Sequence, residues 1–542
     1  MVDIIPFSGI TSIAVECVGA REWGRAEEDD YYMIAELLTS HDTVFIGGEW
    51  VPAKTKERIE VVSPWSEQVV ASVPDGSRAD IDDAVAAARR AFETGLWPQL
   101  SLDARMAIVA RLRDLLVQHA DDFAELITEE MGCPISQSRA IQVPNPVGIL
   151  EAYLDVAATY PFRELRQSRN GHALVTRVPV GVVAGVVPWN VPLSLTIQKI
   201  VPTLLTGCTI VLKPAPETPL DAYLVAQLLS EAGVPPGVVN VVPAGREVSE
   251  YLVSHPSVAK VTFTGSSAAG RRIAEICGRD LRRVTLELGG KSAAVILDDA
   301  DLEATVAALR MGSFRNNGQV CTLKTRLVVP ESRQSEFLER LDALLASMPV
   351  GDPHRESTQI GPLVTARQRD RVESYIEAGR AEGARLVRGG GRPDGFEHGW
   401  FVEPTVFTDV NPDATIAQEE IFGPVVAVIP YHTEEEAVAI ANNSKYGLNG
   451  SVFTSDVERG LRVASKIHAG TVELNGNPAG FLAPMGGVKF SGVGRQFGPE
   501  GLEPFVELKS IGLSGEVAAS LSSQSSTVRS CSSLQGAPCV ES

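Results

Sequence analysis

The chain has 542 residues, 44% of them hydrophobic and 21% charged, with a formal net charge of −20. That length exceeds what one hydrophobic core serves, so two or three domains are expected. The acidic balance disfavours nucleic acid and anionic membrane as partners, and no uninterrupted apolar run approaches the roughly 20 residues of a membrane helix.

Residues 1–41 show no clear period and carry the charged run Arg25-Ala26-Glu27-Glu28-Asp29-Asp30. They read as an N-terminal extension, with Met33 a candidate start. The first 20 residues lack a basic n-region, which argues against a signal peptide. The body begins with Thr43 to Trp50, a short hairpin. Asp80 is the expected N-cap of a helix over Ile81–Phe92. A second helix covers Arg105–His119, with Val109, Leu112 and Leu116 on one stripe.

The pattern then changes. Val182–Val187, Thr209–Leu212, Val238–Val242 and Val258–Phe263 are short β-branched runs. Helix-length segments, Leu220–Ala232 and Ala268–Cys277 among them, separate these runs. Strand and helix alternating in this way imply an α/β fold with a parallel, doubly wound sheet. A second alternating set runs from Leu302 through Val329, Tyr375–Val387 and Val425–Val452, suggesting a second α/β domain. Glu164–Arg177 and Phe505–Ile511 read as flanking strands that pair with each other, either an assembly arm or a solvated hairpin. Gly515 to Ser542 is rich in serine and small residues and is expected to be a disordered tail. The seven cysteines (17, 133, 208, 277, 321, 531, 539) show neither pairing nor metal-ligand spacing. That suits reduced thiols in a cytoplasm and no metal site.

Three runs carry candidate chemistry. Cys321 closes Asn316-Asn317-Gly318-Gln319-Val320-Cys321, a polar, glycine-containing segment able to present a side chain. A thiol is only a few per cent ionised at neutral pH, so a nucleophilic role needs a base or a positive field; the alternative is a small core residue. Glu287 ends the strand-like Val284-Thr285-Leu286, before Leu288-Gly289-Gly290-Lys291. A carboxylate among apolar neighbours has a raised pKa and suits general-base work, against the alternative of a surface glutamate at a strand end. Asn190 follows Val187-Pro188-Trp189, beyond a strand's carboxyl end, where its amide could donate to an oxyanion or serve a turn. Phe263-Thr264-Gly265-Ser266-Ser267 passes from strand to helix and could hold a pyrophosphate on backbone N–H groups. Lys213, at a strand end, could reach a ribose or phosphate.

Together these runs resemble the aldehyde dehydrogenase superfamily. The resemblance covers about Thr43 to Leu513. It rests on Pro188-Trp189-Asn190, Lys213-Pro214, Phe263-Thr264-Gly265-Ser266, Glu287-Leu288-Gly289-Gly290-Lys291, Gly318-Gln319-Val320-Cys321, Glu419-Glu420-Ile421-Phe422-Gly423-Pro424, and Pro484-Met485-Gly486-Gly487-Val488-Lys489-Phe490-Ser491-Gly492. The resemblance implies a Rossmann-type cofactor domain (42–160 and 180–289), an α/β catalytic domain (290–488) and a β-hairpin oligomerisation arm (161–179 and 489–514) that builds a homodimer or homotetramer. It implies NAD as cofactor, with NADP possible, and a small-molecule aldehyde as substrate. Cys321 would attack the aldehyde, Asn190 would hold the oxyanion, and Glu287 would activate water against the thioester. Lys213 would bind the adenine-side ribose, Gly265 and Ser266 would meet the pyrophosphate, and Glu420 would hold the nicotinamide ribose. Phe422 would pack beside the ring, Trp189 would line the cleft, and Leu288 joins the cofactor set. NAD-preferring members often place Glu three residues after the lysine; here Pro216 stands there, followed by Glu217.

The resemblance also sets the substrate tunnel at Val191, Leu195, Gln198, Val320, Thr322 and residues 476–483. With no charged recognition group evident, a medium or bulky uncharged aldehyde is expected. CoA-dependent acylating oxidation is disfavoured by the presence of Glu287. A catalytically silent structural homologue is disfavoured by the intact Cys321, Glu287 and Asn190.

Overall fold

A computed structural model describes residues 36–522. Two mixed sheets dominate it. The larger has eight strands in the order Gly492–Val493, Arg283–Glu287, Lys260–Thr264, Val182–Val186, Thr209–Lys213, Val239–Val241, Thr43–Ile46 and Glu49–Pro52. The five central strands run parallel, and antiparallel strands close both edges. Helices cover both faces, so 182–186, 209–213 and 260–264 are buried at every residue. That burial explains their unbroken apolar runs.

The strand order reverses at 182–186. The chain proceeds from it to 209–213 on one side and returns to 260–264 on the other. The crevice beyond the carboxyl ends of these strands is therefore the switch point at which open α/β sheets bind ligands. Pro188-Trp189-Asn190 and Gly265-Ser266 emerge on either side of it. The helix Pro192–Thr206, which follows Asn190, is buried along its whole length.

The second sheet has seven strands in the order Arg385–Arg388, Thr405–Thr408, Val425–Tyr431, Lys324–Pro330, Ser292–Ile296, Asn449–Phe453 and Thr471–Leu474. All pairs but the first are parallel. A third sheet joins Val506–Leu513, Gly171–Pro179 and Arg163–Ser168, antiparallel throughout. A two-stranded sheet pairs Arg58–Val62 with Val69–Pro74.

Several expectations need correction. The first helix spans Arg78–Glu93 and is capped by Ser77 rather than Asp80. Ser77 Oγ accepts the Asp80 N–H (3.3 Å), while Asp80 Oδ2 accepts the Ser77 N–H (2.8 Å). This reciprocal box places the acidic residue at the third helical position, where it also meets the helix dipole. Gly492–Val493, expected in the arm, instead pairs antiparallel with Leu286–Glu287, covering the strand that ends in the candidate base. The N-terminal extension ends before residue 41: Leu37 is buried, and His41 N–H donates to Ser72 O (2.8 Å). The tail expected to be disordered from 515 is helical over 515–522. Met33, most of the N-terminal extension, Cys17, Cys531, Cys539 and the rest of the tail lie outside the described residues. Among the described residues no helix is long and apolar enough to cross a membrane, and no group of three or more acidic, His or Cys residues could hold a metal.

Candidate active site

The nucleophile segment is shaped by its backbone. Asn316, Asn317 and Gly318 all have left-handed φ values (53°, 59° and 77°). Such a run costs energy at the two asparagines and persists only where surrounding contacts hold it. Those contacts are present. Asn317 Nδ2 donates to Gly132 O (2.9 Å) and Pro362 O (2.8 Å), and its Oδ1 accepts the Gly361 N–H (2.6 Å). Gln319 Oε1 accepts the Val364 N–H (3.1 Å). Gly318 permits the third turn residue, because a Cβ there would fall 2.1 Å from the Gly423 carbonyl carbon. The clamped turn presents Cys321, half-buried, to a cavity of about 560 Å³.

Glu287, the last residue of its strand, lines the same cavity. Both its carboxylate oxygens are buried without a hydrogen-bond partner. Burial pushes its pKa up to about 8, with Lys199 and Arg495 pulling the other way. The Cys321 thiol is pushed up to about 12, first by burial and then by the Glu420 and Glu287 carboxylates, against Arg315 and its own backbone N–H. The resting thiol is therefore protonated, and a proton acceptor is needed to make it nucleophilic. Asn190 is buried beside the loop. Its Nδ2 donates to Gln319 O (2.9 Å), and its carbonyl accepts from Asn316 Nδ2 (2.8 Å). The structure thus brings Asn190 and Cys321 onto one loop cluster, with Glu287 facing the same cavity.

The crevice side holds most of the other residues read from sequence. Glu420 Oε1 accepts the Gly290 N–H (2.9 Å), and its pKa is pushed up to about 7 by burial. Glycine at 289 leaves space for the Glu420 carboxylate, since a Cβ there would lie 2.3 Å from Oε2. Trp189 and Phe422 meet edge to face at 5.4 Å. Lys213 is buried at its strand end and pushed down to about 8 by burial, opposed by Glu217 and Asp75. Gly265 N–H donates to Glu287 O (3.0 Å), and Ser266 Oγ caps the following helix at the Ala269 N–H (3.3 Å). The orphan donors of that first turn are then the N–H groups of Ser267 and Ala268. Leu288 stands apart, its side chain packed in the core beneath the sheet.

A protein-family model, the aldehyde dehydrogenase family, matches residues 50–511. The chain belongs to the aldehyde dehydrogenase family. It is 44% identical over 480 residues to geranial dehydrogenase of Castellaniella defragrans, covering 88% of this chain and 100% of that one. It is 42% identical over 470 residues to 3-succinoylsemialdehyde-pyridine dehydrogenase of a Pseudomonas species, covering 86% and 97%. Among solved structures, the Mycobacterium tuberculosis aldehyde dehydrogenase complexed with NAD⁺ superposes with a TM-score of 0.87 at 46% identity, covering 88% and 99%. A mutant of aldehyde dehydrogenase C from Pseudomonas syringae, complexed with NAD⁺ and octanal, superposes with a TM-score of 0.84 at 42% identity, covering 87% and 96%.

Within this family member the tunnel positions read from sequence do converge. Val191, Leu195, Gln198, Val320, Thr322 and parts of 478–483 line the cavity. Two charged groups that did not stand out in the sequence are in its wall. Arg315 and Glu473 also line it. Arg315 Nη2 donates to Thr322 Oγ1 (3.3 Å), and Glu473 accepts from Lys324 Nζ (2.5 Å) and Asn449 Nδ2 (2.9 Å). The direction of Arg315 is set by the left-handed turn that follows it, which the sequence pattern did not reveal. Lys199 was also missed. It is fully buried, pushed down to about 8 by burial, and donates to Thr264 Oγ1 (2.7 Å) while acting on Glu287. Its position as the single charged residue in Leu193–Leu205 was the available signal.

Proposed function

We propose that the protein oxidises an aldehyde to its carboxylic acid with NAD⁺, through a covalent intermediate on Cys321. The observation that carries this reading is a buried, unpartnered carboxylate, Glu287, facing the same cavity as the thiol. The crevice suits the dinucleotide: glycine at 289 leaves room against Glu420, Trp189 and Phe422 form an aromatic wall, and a buried lysine ends the neighbouring strand. Glu420 would hold the nicotinamide ribose beside Phe422, and Lys213 would hold the adenine-side ribose. The pyrophosphate would lie at Gly265, Ser266 and the first helical N–H groups after them.

Glu287 takes the Cys321 proton, and the thiolate attacks the carbonyl carbon to give a thiohemiacetal. Asn190 Nδ2 turns from Gln319 O to the new oxyanion, joined by the Cys321 backbone N–H. NAD⁺, when held by these residues, would supply the hydride acceptor needed to take the thiohemiacetal to a thioester. Glu287 first passes the Cys321 proton to solvent; then, as base again, it removes a proton from water as it adds to the thioester, and it returns that proton to the departing thiolate as the acid is released.

The cavity wall is mainly aliphatic and aromatic, with Ile149, Leu195, Phe481 and Phe497 among its residues, which supports a medium or bulky uncharged aldehyde. Glu473 is paired with Lys324, and Arg315 donates to the Thr322 hydroxyl. A panel measured by NADH absorbance is expected to give the highest kcat/KM with medium-chain aliphatic or aromatic aldehydes. A clear win for a carboxylated semialdehyde overturns that assignment. Glu217 and Asp75 both act on Lys213, so a 2′-phosphate there would meet like charge. NAD is expected to exceed NADP in kcat/KM by about tenfold or more, and an NADP advantage overturns it. The three-stranded sheet exposes Val178, Leu508 and Ile511, which supports its reading as the arm of a homodimer or homotetramer.

A further inference from the structure

Residues 138–142 form a π-helical turn, closed by Val143 N–H donating to Ser138 O (3.1 Å). Such turns are rare and concentrate at functional sites. This one does something specific. In an α-helix, residues five apart point about 140° away from each other around the axis. The wider i→i+5 turn brings them toward one side. Here both Gln137 and Gln142 reach the same residue, Asn316 of the nucleophile turn. Gln137 Oε1 accepts the Asn316 N–H (2.8 Å), and Gln142 Nε2 lies 3.4 Å from Asn316 Oδ1. Gln142 Nε2 also donates to the Asn190 carbonyl (3.3 Å), which already accepts from Asn316 Nδ2 (2.8 Å).

We propose that Gln137 and Gln142, delivered together by this π-turn, are positioning residues for the oxyanion donor Asn190, acting on it directly and through Asn316. The inference rests on the reaction proposed above. In that reaction the Asn190 side chain must leave Gln319 O and turn to the substrate oxygen. Two donors on its own carbonyl hold the backbone still, so only the side chain rotates. Asn316 is kept in its left-handed conformation by its N–H donating to Gln137 Oε1 and its Oδ1 accepting from Gln142 Nε2. The donor is thereby aligned before the charge develops, which is where such a hydrogen bond acts.

Packing alone gives no reason for an amide at 142. Gln142 is buried, its Oε1 has no partner, and its nitrogen lies 3.9 Å from Met131 Sδ and 3.8 Å from Cys133 Sγ. An apolar side chain of similar length would fill that sulfur-lined space without an unsatisfied oxygen.

The test uses the full chain with saturating NAD⁺ and a medium-chain aldehyde. Gln142→Met is nearly isosteric and lacks the donor. Its NADH burst rate is expected to fall about tenfold, because small displacements of a reacting group cost one to two orders of magnitude. Its KM for NAD⁺ is expected to stay within about twofold of the parent. Alkylation of Cys321 by iodoacetamide, followed by peptide mass spectrometry, needs no oxyanion donor and is expected to keep its rate. Gln137→Met, which leaves the Gln142 contacts intact, is expected to slow the burst in the same direction. An unchanged burst rate in both variants overturns the inference. So does a fall matched by equal losses in alkylation rate and melting temperature, which marks a merely structural role. Asn190→Ala separates the two levels. If it does not slow the burst, the proposed reaction is wrong; if it does and the glutamine variants do not, only the positioning role is wrong.

Discussion

Cys321→Ala is expected to lower aldehyde oxidation by on the order of 10⁴-fold or more, while NAD⁺ still binds. The effect is large because no other group can take over. Cys133 is a second thiol lining the cavity, but it is fully buried with its sulfur against the Gln142 amide, whereas Cys321 is only half-buried. The remaining described cysteines, 208 and 277, are buried elsewhere. The substitution leaves the fold intact by the same geometry: the nucleophile turn is held by the Asn317 and Gln319 side chains, and the thiol is not among those anchors. NADH absorbance with a broad aldehyde panel checks the loss, and cofactor titration checks the retained site. Residual turnover above about one per cent of the parent would move the covalent chemistry to another atom.

Glu287→Gln is expected to slow steady-state turnover by about 10²–10⁴-fold, the usual contribution of a positioned general base. Glu287 serves both the thiol and the water, so the NADH burst and the steady state are both expected to slow, and turnover within about twofold of the parent would remove Glu287 from the role. The parent enzyme also has a pH signature. Burial raises the Glu287 carboxyl to about 8, so it is protonated, and useless as a base, below that value. Turnover is therefore expected to rise as pH increases through about 8 and then level off. Lys199, held near 8 by burial and acting on Glu287, titrates over the same range, so the inflection belongs to the pair. Loss of the inflection in Glu287→Gln assigns it to the carboxylate; a parent profile flat from pH 6 to 9 on the order of experimental error sinks the assignment.

Much of this was legible along the chain. Buried parallel strands must be apolar at every position, so 182–186 and 209–213 announced themselves as unbroken β-branched runs. Cys321, Glu287 and Asn190 stood in short runs whose residue types already named a thiol, a base and a donor. Local signals of this kind depend on neighbours within a few residues. What escaped depended on partners far away in sequence. Gln142 matters because it meets Asn190 and Asn316, 48 and 174 positions on, and no periodicity marks a π-turn. Arg315 entered the cavity wall because two left-handed asparagines redirect the chain after it. Gly492–Val493 became a sheet edge through pairing with 286–287. Ser77 displaced Asp80 as the cap because a reciprocal pair of hydrogen bonds satisfies two backbone donors where the aspartate alone would satisfy fewer.

The sequence by itself determined the chemical inventory and the alternation of strand and helix, since side-chain type and short-range periodicity need no folded context. Only the tertiary structure decided which carboxylate is stripped of partners, which amides clamp the nucleophile turn, and what lines the cavity. Desolvation and hydrogen-bond geometry are properties of surroundings, and those surroundings are assembled from segments that lie hundreds of residues apart.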